Sequence, residues 1–487
     1  MNNPSTPDNE LNNEFDREDA QPDEGSALKN RSRSEKLIPK HHEQEVESES
    51  FPAPHPVPGD GHDRRILVIS YYFPPMGLSG VLRISTFLKY LARNGWSATV
   101  LTVGDVGYYV YDHALLAELE AAGVDVVRTK TRDPLSVMSK RKRKTEKLKQ
   151  PSDRVSRFAR GVTHTFLQPD NKIGWRKHAV AAGRKLIDEK RFDVILSTGP
   201  PFTDFLIGLD LHKQSGLPLV VDYRDPWLEN GHYFYATPLH RRYAAKLEEE
   251  VLKNSEGVVV VNRRIKEMLI ARWPFLTHES VHIIPSGYDP ERLAEANPDR
   301  VRGRKLRFLY SGLFDAKRSP ESFFKGLAKV FARRPEARDE IEAVFVGTFR
   351  EQHKRMAAKI GVASAIVTPG YLEHREVLDW LLSADVLWLT IYDTAITPGK
   401  MYEYMGTRKP ILALAPEGVV RRILDDYGAA IYADPDDVDA IAEAIEAFYE
   451  GWKSGGMPVG SEGAAEEYDA MLLVDRLARV LAHAMHL

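Results

Sequence analysis

The sequence predicts an α/β protein made of two doubly wound, Rossmann-like domains that face each other across a cleft. Three observations lead there. Short β-branched runs alternate with helical patterns from residue 65 onward; the alternation stops at a polar, Arg-rich stretch at 289–304; and it restarts with LRFLYSG at 306–312. Strands alternating with helices build parallel sheets, and two successive series build two of them. A chain of 487 residues has the length for more than one core.

The first series opens with ILVIS (66–70), a short apolar run bounded by turn residues, as a strand buried on both faces should be. YYFPPMGLSG (71–80) follows, then a helical pattern over 81–94 with Leu82, Phe87, Leu88 and Leu91 as its main apolar positions and Gly95 as its stop. SATVLTV (97–103) completes a βαβ unit, whose crossover should be right-handed. Further strands are expected at DVILST (193–198), LPLVVDY (217–223), GVVVV (257–261) and HIIPSG (282–287), with helices around 175–190, 202–215 and 239–254. The second series runs through 306–312, EAVFVG (342–347), AIVTPGY (365–371), ADVLWLT (384–390) and KPILALA (409–415). The expected domains are therefore 62–288 and 305–463, joined by a linker at 289–304. A closing helical stretch, 464–487, is long enough to cross back onto the first domain.

Composition narrows the function. Hydrophobic residues make up 43% and charged residues 28%, and a net charge of −3 gives no reason to expect nucleic acid. The absence of cysteine excludes disulfides, thiolate metal sites and a cysteine nucleophile. No apolar run reaches the ~20 residues that span a bilayer, and the N-terminus lacks the pattern of a secretory signal. A cytoplasmic protein is expected, with any membrane contact peripheral. Residues 1–61 read as a disordered acidic tail, since 8–49 holds 13 acidic against 6 basic residues. The segment 139–161 holds ten basic and two acidic residues. It suits a docking surface for anionic membrane and equally suits a solvated charged loop.

Ligands of open parallel sheets sit beyond the carboxyl ends of strands, so chemistry is sought there. Gly77 and Gly80 follow the first strand and let backbone approach a ligand, with Ser79 or Gly80 opening the helix; a tight strand–helix turn needs the same residues. Asp222, Arg224 and Asp225 follow LPLVV, where charges beside a buried strand must be paired or functional. Thr198 ends another strand and can offer its hydroxyl to an acceptor or cap the next helix. In the second domain, Gly312 precedes Lys317 and Arg318, cations suited to a diphosphate leaving group. Thr397, Pro398 and Gly399 lead into a short helix that carries Lys400 and Glu403 three residues apart. Helix amides and Lys400 suit a diphosphate, and Glu403 can accept both hydroxyls of a ribose; a surface ion pair is the competing reading. Tyr371, at the end of AIVTPGY, joins the same candidate set.

The segments ILVISYYFPPMGLSGVLR, FDVILSTGPPFTDF, LPLVVDYRDPW and ITPGKMYEYMGTRKPILAL resemble glycosyltransferase family 4, the large retaining group with the GT-B fold, over most of 65–460. The resemblance is greatest to bacterial members that build surface polysaccharides or glycolipids. It implies transfer of a sugar from a nucleotide-diphospho-sugar co-substrate to a glycan or lipid-linked acceptor, without a cofactor or essential metal. The candidate catalytic set read from these residues is Lys317, Arg318, Lys400 and Asp225, of which Lys317 and Arg318 fall near the family's basic diphosphate clamp. Donor binding would fall to Gly77, Gly80, Gly312, Tyr371, Pro398, Gly399 and Glu403, and the acceptor side to Ser79, Thr198 and Arg224. Three positions depart from the family: Ala395 stands where its first glutamate would fall, Leu313 where a basic residue often follows the glycine, and Arg224 or Asp225 where some members carry histidine. A catalytically weakened binding protein and a nucleotide-sugar epimerase of the same fold remain the alternatives.

Overall fold

A computed structural model describes residues 64–486 except 78, 105, 107–109, 133–166, 231–232, 234, 315–317 and 395. The segments 1–61 and 139–161, Lys317 and Ala395 lie outside the described residues.

The first sheet joins β1 (Arg64–Ile69), β2 (Trp96–Val103), β3 (Asp125–Thr129), β4 (Val194–Gly199), β5 (Leu219–Tyr223), β6 (Gly257–Val260) and β7 (Val281–Ile283) in the spatial order β3-β2-β1-β4-β5-β6-β7. The second joins β8 (Leu306–Ser311), β9 (Ile341–Val346), β10 (Ile366–Gly370), β11 (Val386–Thr390), β12 (Ile411–Leu414) and β13 (Ala430–Ala433) in the order β10-β9-β8-β11-β12-β13. Every pairing among these strands is parallel. The order reverses between β1 and β4 and again between β8 and β11. At such switch points neighbouring loops part and leave a crevice at the carboxyl ends.

Burial on both faces explains why the strands read as apolar runs. Leu67 and Ile69 of β1 join Leu101, Trp175, Ile195 and Phe205 on one face. Ile66 and Val68 join Ile84, Phe87 and Leu88 of the helix Ser79–Arg93 on the other. The helix Ala470–Ala484 adds Leu473, Val474 and Leu477 to that second cluster, so the end of the chain completes the core of the first lobe. In the second lobe, Phe308 packs with Phe323 and Trp388, while Leu309 packs with Leu387, Tyr404 and Met405.

Four local expectations change. Leu82 is not a core position: it faces the cleft, and Val81 and Ile84 take its place in the apolar stripe. The stretch 289–304 is not plain linker, because Asp289 caps a helix, Pro290–Glu295, accepting from the backbone N–H of Glu291 and Arg292. An acceptor side chain followed by proline is a helix-start signal. The closing helical stretch is broken in two, Glu462–Glu466 and Ala470–Ala484. Between them the backbone of Tyr288 takes over, its N–H donating to Tyr468 O and its carbonyl accepting from Ala470 N, both at 3.0 Å. Finally, β3, β13 and the helix His113–Ala121 are elements that the sequence reading does not single out.

A buried acid in the first lobe makes stability depend on pH. Glu248 is fully buried, receives a 3.2 Å hydrogen bond from Trp273 Nε1, and has its carboxyl pushed up to about 8 by burial. The unfolded chain ionises it near 4.5. Stability from this group is therefore complete below that value and is lost as pH rises through about 8. Glu248→Gln keeps the acceptor for Trp273 and removes the ionisation. Its thermal midpoint should exceed that of the parent at about pH 8.5, with the gap closing towards about pH 5; a gap independent of pH would contradict the burial argument.

Candidate functional site

A single cleft receives loops from both switch points. Its first-lobe wall carries Gly77 after β1, Leu82, Arg83 and Thr86 on the helix Ser79–Arg93, and Asp112. Its second-lobe wall carries Ser311 at the end of β8 and Gly312, Leu313 and Arg318 after it, Tyr371 and His374 after β10, and Gly399, Lys400 and Glu403 after β11. The connection between lobes closes the back with Ser286 to Asp289 and Arg292.

On the second-lobe wall, Lys400 sits in the first turn of the helix Gly399–Gly406. Its ammonium donates to Ser311 O at 2.5 Å and lies 3.7 Å from the centre of the Tyr310 ring. A cation at a helix N-terminus opposes the macrodipole, and here a carbonyl and an aromatic face offset that cost. Gly312 makes room for it: φ is +124°, and a Cβ there would lie 2.9 Å from Lys400 Nζ. One turn further along, Glu403 Oε1 is 2.5 Å from His374 Nε2, the imidazole N–H donating to the carboxylate.

Among the described residues Asn262 Nδ2 donates to Thr397 Oγ1 at 3.3 Å between the lobes, and two further hydrogen bonds cross the mouth of the cleft. Tyr371 Oη donates to Gly77 O at 2.9 Å, and the backbone N–H of His374 donates to Asp112 Oδ2 at 3.1 Å. Burial holds the Tyr371 hydroxyl well above its ordinary pKa, so it remains a donor. At the back, Lys89 Nζ is 2.9 Å from Asp289, 3.0 Å from Glu118 and 3.1 Å from Glu291, and Tyr90 Oη donates to Asp289 at 2.8 Å. Arg292 pairs with Glu118 at 2.7 Å and reaches Thr86 at 3.0 Å. Burial alone would raise the Asp289 carboxyl, but Arg292, Lys89 and Tyr90 hold it below the usual range. Breaking one partner of such a buried set leaves charge uncompensated, so the connection is a stiff one.

Of the residues expected at the site, Gly77, Gly312, Arg318, Tyr371, Gly399, Lys400 and Glu403 come together in the cleft. Pro398 stands one residue outside, at the N-cap of the Lys400 helix. Gly80 is in the first turn of its helix, where its carbonyl accepts from Arg224. Ser79 begins the same helix. Thr198 is buried and its hydroxyl donates to Asp222 at 2.8 Å, outside the cleft lining. The guanidinium of Arg224 donates to the carbonyls of Gly80, Gly199 and Pro200 and braces loop backbone. Asp225 is partly buried beyond β5, outside the cleft lining.

Sequence reasoning misses Arg83, Asp112 and His374. Arg83 is buried, bonded to both oxygens of Asp222 at 2.7–3.3 Å and to Pro285 O at 2.5 Å. The pairing of Asp222 with an arginine is thus real, but the partner comes from the opening helix rather than from the DYRDPW segment. A basic residue in the first turns of a helix, against the dipole, was the available signal for both Arg83 and Lys400.

A family model described as Glycosyltransferase Family 4 matches residues 82–292, and one described as Glycosyl transferases group 1 matches residues 301–455. No curated protein matches the sequence. Among solved structures, a glycosyltransferase from Rickettsia africae superposes with a TM-score of 0.59 at 13% identity, covering 87% of this chain and 99% of its own. HepE from Anabaena, in complex with UDP and glucose, gives 0.60 at 13% identity over 86% and 99%. WaaG, a glycosyltransferase involved in lipopolysaccharide biosynthesis, gives 0.55 at 14% identity over 85% and 99%.

The contact at Gly77 is tight enough to test. A Cβ there would stand 2.1 Å from Tyr371 Oη and 3.2 Å from Asp112 N. Gly77→Ala should therefore part the lobes and enlarge the radius of gyration in small-angle scattering. Adding Tyr371→Phe removes the closest clash and should reverse part of the increase. Unchanged scattering from Gly77→Ala would show that this contact does not hold the cleft closed.

Proposed function

The chain belongs to glycosyltransferase family 4, of GT-B fold, and from that membership we propose that it moves a sugar from a nucleotide-diphospho-sugar to a hydroxyl of a glycan or lipid-linked acceptor, with retention, in the synthesis of cell-surface polysaccharide or glycolipid. The observation that carries the donor half is Lys400, a cation held at a helix N-terminus beside Gly312 and facing the cleft. A diphosphate answers that arrangement, because it pairs with the ammonium and is favoured by the helix dipole. The likeness to HepE bound to UDP and glucose supports a nucleotide-sugar, and the likeness to WaaG supports a surface glycan.

In this reading the bond between the sugar C1 and the diphosphate oxygen breaks, and its electrons pass to the diphosphate. Lys400 and Arg318, with Lys317 beside it in the sequence, stabilise that charge. The acceptor hydroxyl attacks C1 from the face the diphosphate leaves and passes its proton to the departing diphosphate oxygen, and no side chain is assigned as nucleophile. Glu403 holds the ribose of the donor. Gly77 and the loop around Ser79 and Gly80 bring first-lobe backbone to the transferred sugar. Closure of the lobes excludes water from the reacting centre. The work is proposed to take place in the cytoplasm, with 139–161 as the surface that meets an anionic membrane. Among the described residues no helix is long and apolar enough to cross a membrane.

Glu403→Ala should weaken binding of the nucleoside diphosphate by about tenfold, the size of a lost hydrogen bond to a charged group. Unchanged affinity would remove Glu403 from the donor site. Lys400→Ala should depress kcat by about a hundredfold, as loss of one charge-stabilising donor does. Turnover that persists in excess EDTA would support transfer without a metal; abolition reversed by magnesium would refute that part.

A further inference from the structure

Glu403 meets a second residue that the sequence did not point to. A carboxylate that must accept two vicinal hydroxyls has to be held in one orientation, because each misdirected lone pair is a lost hydrogen bond. His374 Nε2 lies 2.5 Å from Glu403 Oε1, and both side chains are mostly buried, at 13% and 15% exposure. One carboxylate oxygen is thereby tethered, and the carboxylate keeps lone pairs for a ligand.

The position of His374 is itself set from the other lobe. It is the first residue of the helix His374–Ser383, and the first N–H groups of a helix find no partner in their own ladder. The N–H of His374 is satisfied by Asp112 Oδ2 at 3.1 Å, across the cleft. Asp112 is fixed in turn, its Oδ1 accepting from Leu115 N at 3.0 Å and its backbone N–H donating to Pro75 O at 2.8 Å. Parting the lobes takes the acceptor away from His374 and loosens the residue that orients Glu403.

We propose that His374 is a positioning residue that orients Glu403 for ribose recognition, and that Asp112 makes this orientation conditional on closure of the cleft. The proposal rests on the ribose-binding reading of Glu403. A donor would then be gripped by its ribose chiefly in the closed enzyme.

The test is ribose discrimination, measured calorimetrically with UDP, ADP and GDP, each beside its 2′-deoxy form. The parent should prefer the ribonucleotide of its own base by about tenfold, as expected for a hydrogen bond to a carboxylate. Glu403→Ala and His374→Ala should both bring that ratio close to one. His374→Gln, which retains an N–H donor, should recover most of it, and Asp112→Ala should lower it with His374 untouched. If Glu403→Ala abolishes the preference and His374→Ala does not, the proposal is overturned while the ribose reading stands. If Glu403→Ala leaves the preference intact, or none of the three nucleotides binds the parent, the ribose reading falls and takes the proposal with it. A Gln variant no better than Ala also overturns it. Should His374→Ala fail to fold, His374→Asn, whose amide is shorter than the imidazole, replaces it in the same comparison.

Discussion

Lys400 stands where a lysine is electrostatically disfavoured, in the first turn of a helix whose dipole is positive at that end. What keeps it there is local: the carbonyl of Ser311, the face of Tyr310, and a glycine at 312 that leaves space for the ammonium. These partners come from β8 and the loop after it, on the other side of the second switch point. One side chain therefore stitches together the two loops that a doubly wound sheet leaves apart. The first lobe contains a counterpart in Arg83, also near a helix start, but Asp222 neutralises it inside the protein.

The two lobes are coupled by contacts of different character. At the back, Lys89, Asp289, Glu118, Glu291 and Arg292 form a charged and mostly buried set that anchors the connection to the opening helix. At the front, the described residues include single hydrogen bonds between the lobes, Tyr371 to Gly77, His374 to Asp112 and Asn262 to Thr397. Single bonds of this kind contribute on the order of 1 kcal/mol each, which suits a mouth that opens and closes on a stiff hinge.

Much of the architecture was legible because buried parallel strands have a strong signature. ILVIS, LPLVVDY and ADVLWLT are apolar and β-branched, and each ends at a turn. The weaker elements were missed for lack of that signature. β3 has no fully buried residue, and of β13 only Ala433 is buried. The candidate site was legible where glycine and a cation follow a strand, as at Gly312 and Lys400. It was not legible where function depends on pairing across long separations. Nothing near Asp222 in the sequence announces Arg83, 139 residues away, and nothing near Glu403 announces His374 or, through it, Asp112. The partners of Thr198 and Arg224, Asp222 and Gly80, likewise become neighbours only in the folded chain.

The most direct trial of the central claim is a crystal structure of the enzyme soaked with UDP-glucose. The diphosphate should lie within hydrogen-bonding distance of Lys400 Nζ and the N-terminus of the helix Gly399–Gly406, with the ribose against Glu403. A nucleotide bound elsewhere, or one in the cleft whose phosphates leave Lys400 still engaged only with Ser311, would contradict it.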